Sequence, residues 1–401
     1  MSELIPIFNA LRRSKAGALM LLFQIAITTA IVSNAAYIIY DRLTYLHQDT
    51  GYPENEIFHF RIMSFAEDVN YNQRYELDKA LIRNIPGVID VSTTNAVPLT
   101  GSGSSSGFRV APEPEESVTA NAAYLTVDEN APQTFGLEVM AGRNFTSEDV
   151  LVTDSPNDLP TVAIVSKAFA DAIFPEGDGL GKTAYFGATP FKIIGTIENM
   201  RGPWLHSETA ENVIMFPLVQ GQARQRFVVR THPSERASVM AQIEDLLLQE
   251  DNQRVINNLE TLDKSKADYN ASDTLMLRML LVLIVILVAV TALGNFGLTM
   301  FNIGKRTKQI GTRRALGARK SAIIRYFLLE NTLVCLAGLI PGCIGAILLA
   351  EQLMQLYSVS ALDYSYVLAT AVFVLLISLL AVIVPAQRAA NISPSIATRT
   401  I

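Results

Sequence analysis

The sequence predicts an α-helical membrane protein with four transmembrane helices and a large α+β extracytoplasmic domain between helices one and two. Two observations carry this. Four apolar runs, at 16–40, 279–301, 332–350 and 366–384, hold few ionisable residues, and each is near the roughly 20 residues that cross a bilayer as helix. None alternates as a barrel strand does. The charge is also unevenly divided: residues 41–273 hold 34 acids and 18 bases, and the rest of the chain holds 4 acids and 14 bases. Basic loops stay in the cytoplasm, so both termini and the 302–325 stretch are expected there, with 41–273 outside.

Taken in order, "LIPIFNALRRSK" (4–15) reads as a short amphipathic helix on the cytoplasmic membrane surface. The first apolar run follows this basic start, and "SNA" at 33–35 imitates a signal cleavage site. At 25 residues the run exceeds the roughly 7–15 of a signal h-region, so it reads as a retained anchor.

The external segment alternates strand-like and helix-like pieces. "IFHFRI" predicts a strand, "NQRYELDKALIRNI" a helix and "GVIDVSTTNAVPL" a strand ending at a turn, while "TGSGSSSG" (100–107) reads as a loop by composition. A second block follows, with strands at "TVAIVS", "FKIIGTIEN" and "NVIMFPL" and a helix at "KAFADAIF". "QRFVVRT" (strand) and "ERASVMAQIEDLLLQE" (helix) then resemble the first strand and helix. This pattern predicts two α+β subdomains, the second inserted into the first. The only cysteines, Cys335 and Cys343, lie in the third apolar run, so the external domain relies on an ordinary core rather than a disulfide. From 262 to 301 no helix breaker appears. That predicts one stiff rod of about 60 Å, half of it beyond the membrane core.

Several chemical motifs dissolve on inspection. "EGDGLGKTA" (176–184) nearly spells a phosphate loop, but Gly177 precedes Gly181-Lys182-Thr183 by one residue too few. A turn between helix and strand is expected instead. "GSSSG" (103–107) matches the nucleophile-elbow pattern around Ser105, yet no helix follows it, and a hydrolase would need acid and histidine partners. His47, His59, His206 and His232 lack metal-ligand spacing. Trp204, in "MRGPWLH", is expected in an exposed loop. Nothing suggests nucleic-acid binding, because the one strongly basic run is pinned beside the membrane. No span carries a chain of ionisable residues, which argues against proton-driven transport.

Two features of the spans stand out. Gly338 and Gly342 are four apart, a spacing that permits close helix packing, and Pro341 between them would kink the helix; Gly and Pro are also simply common in membrane helices. Glu330 opens the third span, where a loop arginine is its natural partner.

The stretch "KRTKQIGTRRALGARKSAIIR" (305–325) carries eight Lys and Arg and no acid. Beyond anchoring topology, its part from "KQIG" on resembles the signature loop of FtsX-like, MacB-type ABC transporter permeases, roughly E-I-G-x-R-R-A-L-G-A before a helix. Ile310, Gly311, Arg313, Arg314, Ala315, Leu316, Gly317 and Ala318 match, and Gln309 stands where the family has Glu. "GLEVMAGRNFTSEDV" (136–150), "VAIVSKAFADAIFPEGDGLGKTAYF" (162–186) and the tail "PAQRAANISPSIATR" (385–399), with Thr398 replacing Leu, are similar to further family segments.

The resemblance implies a bacterial inner-membrane, non-catalytic subunit with both termini cytoplasmic. Its domains would be a surface helix (1–15), a span (16–40), a periplasmic MacB-like domain (41–273), a span with external stalk (274–301), a coupling loop (302–331), a span (332–350), a short external loop (351–365), a span (366–385) and a tail (386–401). A cytoplasmic ABC ATPase would dock on the matched residues together with Arg319 and Lys320, through a short coupling helix within 317–324. No Walker motif occurs in this sequence, so ATP and Mg are expected on that partner and no cofactor on this chain. The family dimerises, with a second permease copy or a paralogue, and uses ATP to move its external domains like levers. Export or extraction of a peptide, antibiotic, lipoprotein or siderophore is implied, with a periplasmic adaptor and an outer-membrane channel as further partners. The alternative is an FtsX-like regulator that activates a cell-wall hydrolase; the large external domain favours export.

Overall fold

The computed structural model describes residues 15–67, 69–112, 118–155, 158–357 and 362–393. The surface helix expected over 4–15 and the tail from 394 onward therefore lie outside the described residues, apart from Lys15. The chain divides into an α+β unit, 48–271, and a helical unit made by the flanking segments.

The chain starts with α1 (Lys15–Leu46). The α+β unit opens with β1 (Ile57–Ser64), α2 (Tyr71–Arg83) and β2 (Val88–Thr93). An inserted block follows: β3 (Ser104–Arg109), β4 (Thr119–Val127), α3 (Ala131–Thr134), β5 (Val139–Gly142), β6 (Leu151–Thr153) and β7 (Val162–Ser166). It continues with α4 (Lys167–Ile173), β8 (Thr183–Phe186), β9 (Thr189–Ile197) and β10 (Val213–Gln220). β11 (Arg224–Thr231), α5 (Arg236–Glu250) and β12 (Arg254–Thr261) return to the first subdomain, and α6 (Leu262–Tyr269) ends the unit. The helical unit resumes with α7 (Ala271–Ala315), α8 (Lys320–Tyr357) and α9 (Tyr364–Ala390).

In the first subdomain the sheet order is β12-β1-β11-β2, antiparallel throughout, with α2 and α5 as the crossovers of a split β-α-β pair. Asn70 starts α2 by accepting hydrogen bonds from the N–H groups of Asn72 and Gln73. The helices then bury Tyr75, Ile82, Val239, Ile243 and Leu247 against Phe58, Phe60, Phe227 and Val229 of the sheet. In the inserted subdomain, strands run β4-β3-β8-β9-β7-β10, and β10 also pairs with β4, which closes the path into a ring. Closure leaves those strands without a free edge. Phe108 sits at the centre of its core, with the rings of Phe169, Phe186, Phe191 and Phe216 around it.

Three expectations need correction. "GSSSG" is not a loop from Ser104 on: the residues from Ser104 to Arg109 pair one by one with β4 from Tyr124 to Thr119. Small polar side chains are no obstacle where β4 supplies a hydrogen-bonding ladder along the whole stretch and Phe108, paired with β8 as well, anchors the strand in the core. The rod from 262 to 301 is broken at Asn270, which leaves helical geometry (φ −90°, ψ 11°) and caps α6. Asn competes for backbone hydrogen bonds as few residues do. The helix that follows runs further than expected, 45 residues or about 67 Å, through the basic stretch to Ala315. Lastly, no separate coupling helix occupies 317–324. α8 starts at Lys320 and continues unbroken through Pro341, because no stop signal stands between Lys320 and Glu330.

All four helices of the helical unit are long and apolar enough to cross a membrane. α1, α8 and α9 share a core of Leu21, Ile25, Val334, Cys335, Leu339 and Val374. At Gly338 an added Cβ would lie 3.0 Å from both Leu22 O and the Ile25 Cβ, and at Gly342 it would lie 2.9 Å from the Thr29 Cβ. These two glycines thus sit where α8 backbone meets α1, whereas Pro341 is exposed. Buried polar side chains stitch the helices: Thr28 to Thr291 at 2.9 Å, Asn295 Nδ2 to Ser378 Oγ at 3.1 Å, and Asn34 Nδ2 to Ala346 O at 2.9 Å.

Candidate functional site

The sequence residues Ile310 to Lys320 come together at the corner where α7 turns into α8. The corner is a helix stop of defined geometry. Gly317 adopts φ +92°, its N–H reaches Arg314 O at 3.1 Å, and the Ala318 N–H reaches Arg313 O at 3.0 Å. That pair of bonds is the Schellman arrangement, which requires a left-handed residue, usually Gly, just past the helix end. "RRALGA" is therefore a C-cap: Arg313 and Arg314 fill the last turn, where cations suit the helix dipole.

Four of the basic residues have fixtures of their own. The Arg314 Nη1 donates to Ala318 O at 2.9 Å and braces the turn from within. Arg313 lies over the Tyr326 ring, 5.2 Å from its centroid. Lys320 Nζ donates to Asn391 Oδ1 at 2.7 Å, tying the start of α8 to the end of α9. Arg306 Nη1 donates to the Glu330 carboxylate at 2.8 Å, the loop-arginine partner expected for that acid. Beneath them Ile303 and Ile310 of α7 pack with Ile323 and Phe327 of α8 and Ala386 and Ala389 of α9; Gly311 is buried as well.

What remains outward is the tip. Ala315, Gly317 and Arg319 are exposed, as are Arg313 and Lys320 beside them, and Leu316 is 84% exposed. Tyr326 and Asn391 were not singled out from sequence, because their roles depend on contacts between helices rather than on local pattern. Gln309 is exposed.

The other sequence candidates take structural places. Ser105 stands in mid-strand opposite Ala123. His59 Nε2 lies 2.8 Å from Ser265 Oγ, and His206 Nδ1 lies 2.8 Å from Tyr269 Oη. "EGDGLGKTA" forms the turn between α4 and β8, with Lys182 Nζ 4.7 Å from the Phe174 ring centroid. Trp204, half-buried, lines a cleft of about 420 Å3 with Ser105 and Ser106. Among the described residues no group of His, Cys, Asp or Glu could hold a metal ion.

Two buried ion pairs hold α2 in the α+β unit. Asp78 accepts from Arg254 Nη1 at 2.8 and 2.9 Å, and Lys79 Nζ meets Asp128 Oδ2 at 2.9 Å. Burial raises the pKa of both aspartates, opposed by Arg254 and Lys79 respectively.

Four membrane-length helices with a large α+β unit between the first two, and a basic, glycine-capped corner between the second and third, define a class of permease-like membrane protein. The family model of the MacB-like periplasmic core domain matches residues 20–246, and that of the FtsX-like permease C-terminal region matches 281–394. The chain belongs to this MacB-like, FtsX-like family of ABC transporter permeases, as a multi-pass inner-membrane protein. The macrolide export ATP-binding/permease protein MacB of Vibrio parahaemolyticus is 24% identical over 290 residues, 69% of this chain and 42% of that protein. MacB of Pectobacterium atrosepticum is 27% identical over 71% of this chain and 45% of its own length. The uncharacterized ABC transporter permease YvrN of Bacillus subtilis is 24% identical over 68% and 69% respectively. The chain thus spans less than half the length of these two MacB relatives. The crystal structure of the periplasmic region of MacB from Actinobacillus actinomycetemcomitans is 18% identical, covering 54% of this chain and 94% of that one, with a TM-score of 0.32. At that score it adds nothing to the family assignment.

Proposed function

We propose that this chain is a permease subunit that couples ATP hydrolysis by a separate cytoplasmic ATPase to motion of its α+β unit. The coupled work would be export or extraction of a periplasmic or membrane substrate. The observation that carries the reading is the corner itself. Arg314 braces the turn from within, Arg313 lies over Tyr326, and the shape presents Leu316 and Arg319 to solvent. An apolar side chain so exposed, between cations, suits a groove on a partner with acidic walls. ATP and Mg would be held by that partner.

α7 suits a lever because it is continuous for 45 residues. Its apolar window is only 6% buried within this chain. Lipid or a second permease copy, identical or paralogous, would cover the rest. The corner, like both termini, would lie in the cytoplasm, where basic segments are retained.

The test is mass spectrometry of proteins that copurify with the tagged, detergent-solubilised full chain from its native host. Wild type is compared with Leu316→Asp and Arg319→Glu, which leave the cap and its internal arginines intact. An ABC ATPase recovered with wild type and lost from the variants is the expected result. Absence of any ATPase from the wild-type sample would overturn the reading.

A further inference from the structure

Two arginines face each other across the four-stranded sheet. Arg61 of β1 and Arg226 of β11 are directly opposed in antiparallel register. Their strand neighbours Phe60 and Phe227 belong to the helix-covered core, so alternation puts both arginines on the opposite face. Arg224, two residues before Arg226, shares that face.

Like charges directly opposite each other destabilise a sheet, and a carboxylate between them is the ordinary remedy. Among the described residues no carboxylate pairs with either arginine, although both also line a neighbouring cleft of about 420 Å3 that holds Glu260 and Asp268. The Arg61 side chain has no hydrogen bond or ion pair there, and the one bond of Arg226 runs from Nη1 to a neutral carbonyl, Asn95 O, at 2.6 Å. Burial first, and the Arg61 charge second, lower the Arg226 pKa to about 10, with no carboxylate opposing them.

The three arginines line a cleft of about 220 Å3 whose other walls include Thr94, Thr126 and Gln222, and no acid. Hydroxyl and amide groups around cations make a lining for a hydrophilic anion rather than for an apolar ligand. We propose that this cleft binds an oxyanion, the carboxylate or phosphate group of a small hydrophilic ligand, between Arg61 and Arg226. Guanidinium forks match the geometry of either group and can hold it bidentately. The volume admits only a small molecule or the charged end of a larger one. The site lies within the α+β unit and does not depend on any ATPase.

The experiment uses the full chain in detergent, titrated calorimetrically with inorganic phosphate and, separately, with succinate, at constant ionic strength set by sodium chloride. Saturable binding of at least one probe is expected, and the stronger arm names the group. Arg61→Gln and Arg226→Gln should each weaken it about tenfold or more, the loss of a charge-assisted pair. Arg143→Gln, whose native side chain is committed to Asp149, should leave it unchanged. A second readout guards against misfolding. In chloride alone Arg61→Gln should melt at or above the wild-type temperature, because it relieves repulsion, and phosphate should raise the wild-type melting temperature more than the variant's. No saturable binding of either probe to wild type, binding unmoved by both substitutions, or an Arg61→Gln protein that melts lower without anion overturns the proposal.

Discussion

Arg306 Nη1 lies 2.8 Å from Glu330 Oε2, joining α7 to α8 just inside the corner, with Glu330 only 5% exposed. Removing one partner of a buried pair strands the other charge, at a cost of about 3–5 kcal/mol. Arg306→Gln should therefore lower the melting temperature of the solubilised protein by several degrees. Glu330→Gln should cost less, because its amide oxygen still accepts from Arg306, and adding it to Arg306→Gln should recover part of the loss. Equal costs for the two single variants would contradict a paired carboxylate.

Gly317 tests whether the corner needs its cap or merely space. Nothing lies within 4 Å of a Cβ added there, so any penalty comes from the left-handed backbone alone, about 1–2 kcal/mol for an ordinary residue. Gly317→Val should reduce ATPase co-recovery strongly, and Gly317→Asn should retain most of it, since Asn tolerates that backbone. Comparable loss with both would point to contact with the Gly317 surface rather than to its conformation.

Much of this architecture is legible in the chain because its signals are local. Four apolar runs mark the helices, whereas the helix end at "RRALGA", 14 residues beyond the expected end of the second span at 301, shows only in the structure. The insertion of one subdomain into the other follows from two similar strand-helix pairs at its borders. β12 escaped because "RVINNLET" presents two asparagines in mid-strand, one of them, Asn258, at φ +54°; its pairing is set by β1, not by its own pattern. Ser104 to Gly107 escaped because composition says loop while pairing with β4 makes strand. At the corner, Arg313, Arg314 and Gly317 could be read from sequence, but Tyr326 and Asn391 act across helices. The opposed Arg61 and Arg226 lie 165 positions apart and become neighbours only through sheet register.

The α1–α8 contact should respond to volume at Gly342 and not at Gly297. A Cβ at Gly342 would lie 2.9 to 3.0 Å from Thr29 and from the Ala26 backbone, whereas one at Gly297 meets nothing within 4 Å. Gly342→Val should lower the melting temperature in detergent by overpacking worth about 1–3 kcal/mol. Gly297→Ala should be close to neutral. A tolerated valine at Gly342 would mean that the helices do not pack through this face.

Lys79 and Asp128 connect α2 with the end of β4, and both are buried. Asp128→Asn should destabilise by about 3–5 kcal/mol, because Lys79 would keep a buried charge with only Glu129 and Glu76 at longer range. Lys79→Met combined with Asp128→Leu should be far less harmful than either single change, which a double-mutant cycle of melting temperatures measures. Additive losses would show that the two groups act separately.

His59 should make the stability of the α+β unit fall as the solution is acidified. Burial first, then the Arg226 charge, with a smaller effect of Arg61, lower its pKa to about 4; Glu260, opposite it on β12, pulls the other way, and Ser265 supplies its hydrogen bond. The folded pKa lies below the unfolded value of about 6.5. Above that value both states hold neutral imidazole and nothing changes. As pH falls through the window from about 6.5 to 4, the unfolded chain takes up a proton that the folded chain refuses, and up to about 3 kcal/mol is lost. Glu260 and the buried aspartates also titrate at acid pH, so the informative quantity is the difference between wild type and His59→Gln, which keeps a hydrogen-bonding group near Ser265. Between pH 7 and 4.5 the wild-type melting temperature should drop several degrees more than the variant's. Parallel curves would mean that His59 takes its proton in the folded protein as readily as in the unfolded chain, and that its burial among Arg61, Arg226 and Ser265 carries no electrostatic cost.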